Sequence, residues 1–257
     1  YKEEADGNRI RSIPVQATRG VMYDRNGVIL AGSRPAYSVI MPVDRKGNTL
    51  SDDELQKLSV LLKMPVADLK KKIEDNKRAF GAIYLANDVG VDVATQIEEK
   101  KDDFPGIQIE VNPLRVYPLG AAGAQVLGYV GEAGPDDKDA DGNPYTTATL
   151  IGRAGIERKY NQYLEGKNGS KTIEVNASGQ PVGYVGGTPA VSGNNIRLTL
   201  DANLQKAAED AIDSQVKILA KSGIYATGAS AVAIDPNSGA VLAMVSEPSY
   251  DPNRFSK

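Results

Sequence analysis

The chain has 257 residues, a formal net charge of −3 from 30 Lys and Arg against 33 Asp and Glu, 41% hydrophobic residues and 6% aromatic ones. This is ordinary globular composition, enough for one large or two modest domains, with no excess of charge to favour nucleic acid or an anionic membrane surface as partner. Cysteine and histidine are both absent, which removes disulfides, thiol catalysis, Ser-His-Asp and Cys-His triads, and histidine- or cysteine-ligated metals.

Residues 1–36 read as extended chain. Arg9 to Arg19 alternates polar and apolar and contains Pro14, which suits an edge strand. Asp24-Arg25-Asn26-Gly27 between Val21-Met22-Tyr23 and Val28-Ile29-Leu30 is a hairpin signal, because Asn and Gly tolerate positive φ. A strand at Tyr37–Met41 follows. Ser51-Asp52-Asp53-Glu54 forms a capping box ahead of Leu55, Leu58, Leu61 and Leu62 at helical spacing. Pro65 opens a second short helix with Leu69 and Ile73 on one face. A strand near Ala82–Leu85 and a helix over 91–101 complete an α/β insert.

Beyond residue 105 the pattern returns to strands and turns. Ile107–Val111 alternates like a strand, and Gln125–Val130 reads as half buried. The spacing predicts one short helix over 156–164, then strands at Lys171–Asn176 and Asn195–Leu200. Asp201 is a good N-cap for a helix with Leu204, Ala208, Ala211, Val216 and Leu219 in its stripe and Gly223 as stop. Ala229–Ile234 and Ala240–Val245 flank Asp235-Pro236-Asn237-Ser238-Gly239. Both runs are nearly all apolar, as in strands covered on both faces, but the sheet they imply lacks most of its strands, so Val232, Ile234, Val241 and Met244 are expected to leave an exposed apolar face. No run of about 18 apolar residues is present to span a membrane. Tyr1-Lys2-Glu3-Glu4 lacks an initiator Met and Phe255-Ser256-Lys257 follows closely on the hairpin, so both ends read as cuts in a longer chain.

The sequence resembles the class B penicillin-binding proteins over nearly its whole length. Arg19-Gly20-Val21-Met22-Tyr23-Asp24-Arg25-Asn26-Gly27-Val28-Ile29-Leu30-Ala31 resembles their first box, Arg115-Val116-Tyr117-Pro118-Leu119-Gly120 their second, and Gly152-Arg153-Ala154-Gly155-Ile156-Glu157 their third. Leu198-Thr199-Leu200-Asp201 with Leu204-Gln205 resembles the entry to the transpeptidase domain, and Ala231–Asp251, continued by Pro252-Asn253, its first hairpin. Asn8-Arg9-Ile10-Arg11 and Gly128-Tyr129-Val130-Gly131 are most similar to the cell-elongation branch.

Read from the residues, these boxes are mostly structural. Gly20 and Gly27 permit tight turns. Asp24, Arg25, Arg115 and Glu157 are charges within apolar stretches, and an unpaired buried charge is very costly. We expect an Arg–carboxylate network joining distant segments, with Arg19 and Arg115 as its cations; the alternative is independent surface pairs worth under about 1 kcal/mol each. The resemblance implies that the boxes gather where the stalk meets the catalytic domain. Gly20, Asp24, Arg25, Gly27, Tyr117, Pro118, Gly155 and Glu157 belong to that set.

No catalytic residue is expected here. The family's signature is Ser-x-x-Lys, Ser-x-Asn and Lys-Thr-Gly, with the serine as nucleophile. Ser214-Gln215-Val216-Lys217 and Lys221-Ser222-Gly223 share one predicted helix and its cap, so they read as a solvated helix face. The family's serine is expected tens of residues after Asn253. Asp137-Lys138-Asp139-Ala140-Asp141-Gly142 matches the first half of a calcium loop, but position twelve is Ala148; the simpler reading is an acidic turn.

The expected fold is therefore α+β. An elongated strand-rich pedestal (1–40 and 105–200) carries a small inserted α/β head (41–104), and 201–257 begins a transpeptidase domain as its first helix and hairpin. The resemblance implies a non-catalytic pedestal of a bacterial peptidoglycan D,D-transpeptidase, on the extracytoplasmic side of the membrane, reaching the bilayer only through an N-terminal helix absent from this sequence. It implies contacts to the protein's own transpeptidase domain, to a SEDS-family glycosyltransferase and to elongation scaffold proteins, with no cofactor and no nucleic acid. The alternative is an extracytoplasmic adhesion or calcium-binding module.

Overall fold

The computed structural model describes residues 10–42, 50–76, 82–134, 136–139, 142–145, 149–175 and 181–256. It is α+β and divides into two compact units. The first comprises the described parts of Tyr1–Gln16, Pro35–Leu114 and Asn168–Ala190; the second comprises Ala17–Arg34, Arg115–Lys167 and Val191–Lys257. This division differs from the expected three parts. Residues 41–104 share a unit with pieces from both sides of the insert, and the described residues after 201 share a unit with all three sequence boxes.

In the first unit, β1 (Ile10–Val15), β8 (Gly169–Val175) and β9 (Pro181–Thr188) form an antiparallel sheet with β8 in the centre. Pro14 lies on the edge strand, the position in a sheet that best tolerates a missing N–H. Strand β9 runs through Gly183, Gly186 and Gly187, and their low strand propensity hid it from the sequence reading. The rest of the unit is built on β3 (Ile29–Pro42), whose Tyr37–Pro42 stretch pairs antiparallel with β4 (Ala82–Val89).

Helices α1 (Asp52–Leu62), α2 (Val66–Asp75) and α3 (Val91–Glu99) belong to the same core. The capping box closes the start of α1: Glu54 N–H donates to Ser51 Oγ at 3.3 Å and Ser51 N–H donates to Glu54 Oε2 at 2.6 Å. Helix periodicity delivers Leu55, Leu58, Leu69 and Ile97 to Val39, Met41, Ile83 and Leu85, with Phe104 and Ile107 alongside.

In the second unit, β2 (Met22–Tyr23) pairs antiparallel with the start of β3 and parallel with β10 (Ile196–Arg197). β5 (Gln108–Val116) carries the chain from the first unit into the second. Gln125–Val130 resolves into α4 (Ala124–Leu127) and the start of β6 (Val130–Glu132), which pairs with β7 (Leu150–Gly152). The helix expected over 156–164 breaks at Tyr160 into α5 (Gly155–Lys159) and α6 (Asn161–Leu164). Asn161 opens α6 and turns its Oδ1 back to accept from Gly152 N–H at 2.9 Å.

Asp201 caps α7 (Ala202–Lys221) by accepting from Asn203 and Leu204 N–H. β11 (Ala229–Ile234) and β12 (Val241–Glu247) form a two-stranded antiparallel sheet. The open apolar face expected of this pair is present at Val232, Ile234 and Met244, whereas Val241 is half-buried. Ala243 and Val245 are buried. The expected α7 stripe is also displaced: Leu204 is exposed, and Ala202 and Gln205 are the buried positions. Gln205 takes that place because its amide completes the backbone bonding of β12, donating to Met244 C=O and accepting from Met244 N–H, each at 2.8 Å.

Candidate functional site

Three sequence-distant side chains meet in the second unit. Arg19 ends the segment leading to β2, Arg115 lies on β5 and Glu157 in the first turn of α5. Arg19 Nε–H donates to Glu157 Oε2 and Arg115 Nε–H to Glu157 Oε1, both at 2.7 Å. Arg19 Nη2 also reaches the Glu157 carbonyl at 3.1 Å, and Arg115 Nη1 the Gly20 carbonyl at 2.6 Å. Tyr117 OH completes the set, donating to Glu157 Oε1 at 3.1 Å.

All four side chains are inaccessible: Arg19 is 7% exposed, Arg115 2%, Tyr117 1% and Glu157 0%. Burial first, and then the Glu157 charge, push the Tyr117 phenol far above its ordinary range, so it remains a neutral donor. Two cations share one carboxylate. Arg19 Nη1 and Arg115 Nη2 are buried without a partner among the described residues. In such a setting each ion is held by its opposite, and removing one partner costs about 3–5 kcal/mol.

Close backbone approach assembles the cluster. Gly20 does not serve as a positive-φ turn: a Cβ there would lie 1.9 Å from the Asn194 carbonyl oxygen. Its N–H donates to the Leu164 carbonyl at 2.8 Å. Gly155 has φ +55, and a Cβ would lie 2.4 Å from the Val126 oxygen, so α5 starts against α4 only because no side chain intervenes.

The remaining first-box residues build a separate device. Asp24 is fully buried and accepts from Asn26 N–H at 2.7 Å, Val28 N–H at 2.8 Å and Ala202 N–H at 3.1 Å. Burial raises its pKa, but these three donors outweigh burial and hold the carboxyl below its ordinary value. Asn26 bridges onward to Asp201 Oδ2 at 3.0 Å. The hairpin turn closed by Gly27 thus caps the 20-residue α7 from outside the helix. Arg25 donates its backbone N–H to Leu200 and leaves its side chain exposed. Pro118 is exposed beside Tyr117.

The acidic loop has other partners. Asp137 pairs with Arg153 at 2.8 Å and accepts from Gly134 N–H at 2.7 Å, while Asp139 accepts from Asn143 N–H at 2.8 Å. Asp141 lies outside the described residues. Among the described residues no group of three or more acidic side chains is placed to hold a metal. Ser214 is exposed on α7 and donates to the Asp210 carbonyl at 2.6 Å, and Lys217 pairs with Asp213.

Sequence reasoning missed the polar residues that tie α7 to β12 and to Gly123, and the turn at 252–255 to the second box. Glu209 accepts from Gly123 N–H at 2.6 Å and from Gln205 Nε2 at 2.7 Å. Asn253 bonds the backbone of Tyr117. Asn253 stood in a quoted motif, yet only proximity in the fold gives its amide a partner.

Comparison with known proteins shows the family. The penicillin-binding protein dimerisation domain matches residues 14–198, and the penicillin-binding protein transpeptidase domain matches residues 229–257. The peptidoglycan D,D-transpeptidase MrdA of Escherichia coli K12 is 35% identical over 99% of this chain and 39% of that protein. The MrdA of Acinetobacter baumannii is 32% identical over 99% of this chain and 36% of its own. The FtsI transpeptidase of Escherichia coli K12 is 29% identical over 99% of the chain and 40% of that protein. The chain thus spans about two fifths of the length of these relatives. A solved complex between penicillin-binding protein PBP2 and MreC from Helicobacter pylori superposes with TM-score 0.71 at 26% identity, covering 96% of this chain and 44% of that one.

Proposed function

Because the chain belongs to the penicillin-binding protein family, with the dimerisation domain as its main part, we propose that it is the non-catalytic pedestal of a peptidoglycan D,D-transpeptidase. In this reading it positions a serine transpeptidase domain on the extracytoplasmic side of a bacterial membrane and docks partners of cell elongation. No helix among the described residues is long and apolar enough to cross a membrane.

One observation carries the reading. The stretch that matches the transpeptidase domain is packed in the same compact unit as the three boxes, fastened through Asn253, Gln205 and Glu209. A pedestal has to present its catalytic domain in a fixed pose, and a buried ion cluster below that attachment supplies rigidity. Ser214 offers no competing nucleophile, since its hydroxyl is turned to the helix backbone and its neighbouring lysine is paired elsewhere. The structural likeness to a PBP2 seen with MreC supports a scaffold of that type as partner. A SEDS-family glycosyltransferase is a second partner that the sequence resemblance alone supports.

The test uses the 257-residue chain itself. Incubated with a fluorescent penicillin, it is expected to take no covalent label. Titrated with the extracytoplasmic part of an MreC-type scaffold, it is expected to give saturable heat. Labelling would overturn the non-catalytic reading, and a flat titration would overturn the docking role.

A further inference from the structure

Asn253 sits in the 3-10 turn Pro252–Phe255 that follows β12, held there by Asp251 Oδ1, which accepts from both its N–H (3.0 Å) and its Nδ2 (2.8 Å). The same side-chain amide meets both backbone groups of one residue. Its Oδ1 accepts from Tyr117 N–H at 2.9 Å, and its Nδ2 donates to the Tyr117 carbonyl at 3.0 Å. In an extended residue these two groups point to the same side, so one amide can pair with them as a neighbouring strand would. Pro118 favours that geometry, because a residue preceding proline is steered away from the helical region. This gives the exposed proline of the second box a task.

Tyr117 is therefore gripped twice. Asn253 holds its backbone, and the Glu157 carboxylate holds its hydroxyl. Around this grip, Ser249 Oγ donates to the Ala121 carbonyl at 2.9 Å and Tyr250 OH to the Ala124 carbonyl at 3.2 Å. Phe255 stacks on Tyr129 with centroids 4.2 Å apart.

We propose that Asn253 is a positioning residue: it latches residues 248–255 to Tyr117 and so couples the placement of the transpeptidase-matching stretch to the Arg19–Glu157–Arg115 cluster. Loosening either end loosens the other, since coupling between two sites is reciprocal. The inference concerns contacts within this chain and stands whatever the longer protein does.

Amide hydrogen exchange and ring resonances of the 257-residue chain test it. In Asn253→Ala the Tyr117 amide is expected to exchange about tenfold faster, the loss of one ordinary hydrogen bond. Leu58 and Leu85 amides should keep their rates, and Tyr129 should lose the ring-current shift from Phe255. Asn253→Asp keeps an acceptor for the Tyr117 N–H but sets an anionic oxygen against the Tyr117 carbonyl. It should preserve the amide's protection and still lose the Tyr129 shift, and it carries the test should the alanine variant fail to fold. A purely local contact predicts that Asn253→Ala and Tyr117→Phe, which deletes only the donor to Glu157, act additively. Coupling predicts that they do not. An unchanged Tyr117 exchange rate in Asn253→Ala, a Tyr129 shift retained in Asn253→Asp, or strict additivity overturns the proposal.

Discussion

The two units bury their interiors by different means. From Val39 to Ile107 the first unit's core is aliphatic apart from Phe104, and Ser38 is its one buried polar residue among those described. The second unit packs Met22, Leu30, Tyr117, Leu127 and Leu164 beside buried Arg19, Asp24, Arg115, Glu157 and Gln205. An apolar core accepts any set of side chains of similar volume and pattern. An ionic core does not, since each buried group is tolerable only while its partners stay in place. The first unit should bend under mutation, and the second should fail abruptly.

The largest effect is expected where that contrast is sharpest. Arg115→Glu sets two carboxylates together and removes the donor to Gly20, and Glu157→Gln strands two buried guanidinium groups. Each should destabilise the second unit by about 3–5 kcal/mol or more, read as a fall in melting temperature or in the urea midpoint. An unchanged melting temperature in Arg115→Glu would break the comparison.

Next comes Leu58→Ala in the first unit, where a fully buried side chain is removed. Its expected cost is about 2–5 kcal/mol, set by the cavity left behind. Conservative exchanges sharpen the difference. Leu58→Met should cost under about 1.5 kcal/mol. Arg115→Lys should cost more than that, because one ammonium cannot reproduce the separate Nε and Nη1 bonds to Glu157 and Gly20. Urea unfolding of the two conservative variants side by side decides the point, and equal losses would count against it.

Legibility from sequence follows the same division. The capping box at Ser51, the leucine spacing of α1 and the N-cap at Asp201 are local signals, readable without any partner. The Gly-rich β9 lacked such a signal, and the break at Tyr160 depends on Asn161 reaching back to Gly152. The charges of the boxes stood out because their neighbours were apolar, but their grouping did not follow from spacing: Arg19 and Glu157 are 138 positions apart. Nor did the sequence separate the first box into two devices, with Arg19 and Gly20 serving the ion cluster and Asp24 serving α7. Asn253 and Gln205 were invisible for a related reason. An uncharged amide in a polar stretch announces nothing until a strand or an extended residue lies beside it.

Asp24 yields the smallest expected effect and tests whether the second unit's buried polar groups act through charge or through shape. Asp24→Asn conserves shape, and an amide oxygen can still accept from Asn26 or Val28 N–H. Its NH2 group, however, would face the Ala202 N–H, donor against donor, at the start of α7. Losing such a cap costs about 1 kcal/mol. Because the folded-state pKa lies below the ordinary carboxylate value, the charged form's contribution is fully present above about pH 4. It is lost as pH falls through the lowered value, where the folded state also takes up its proton. Urea midpoints of the parent and of Asp24→Asn should therefore run parallel from neutral pH down to about pH 4 and converge below it. Coincident midpoints at every pH would mean that shape alone is at work, since Asn conserves it, and the turn closed by Gly27 would then join the first unit's tolerant packing rather than the ionic core.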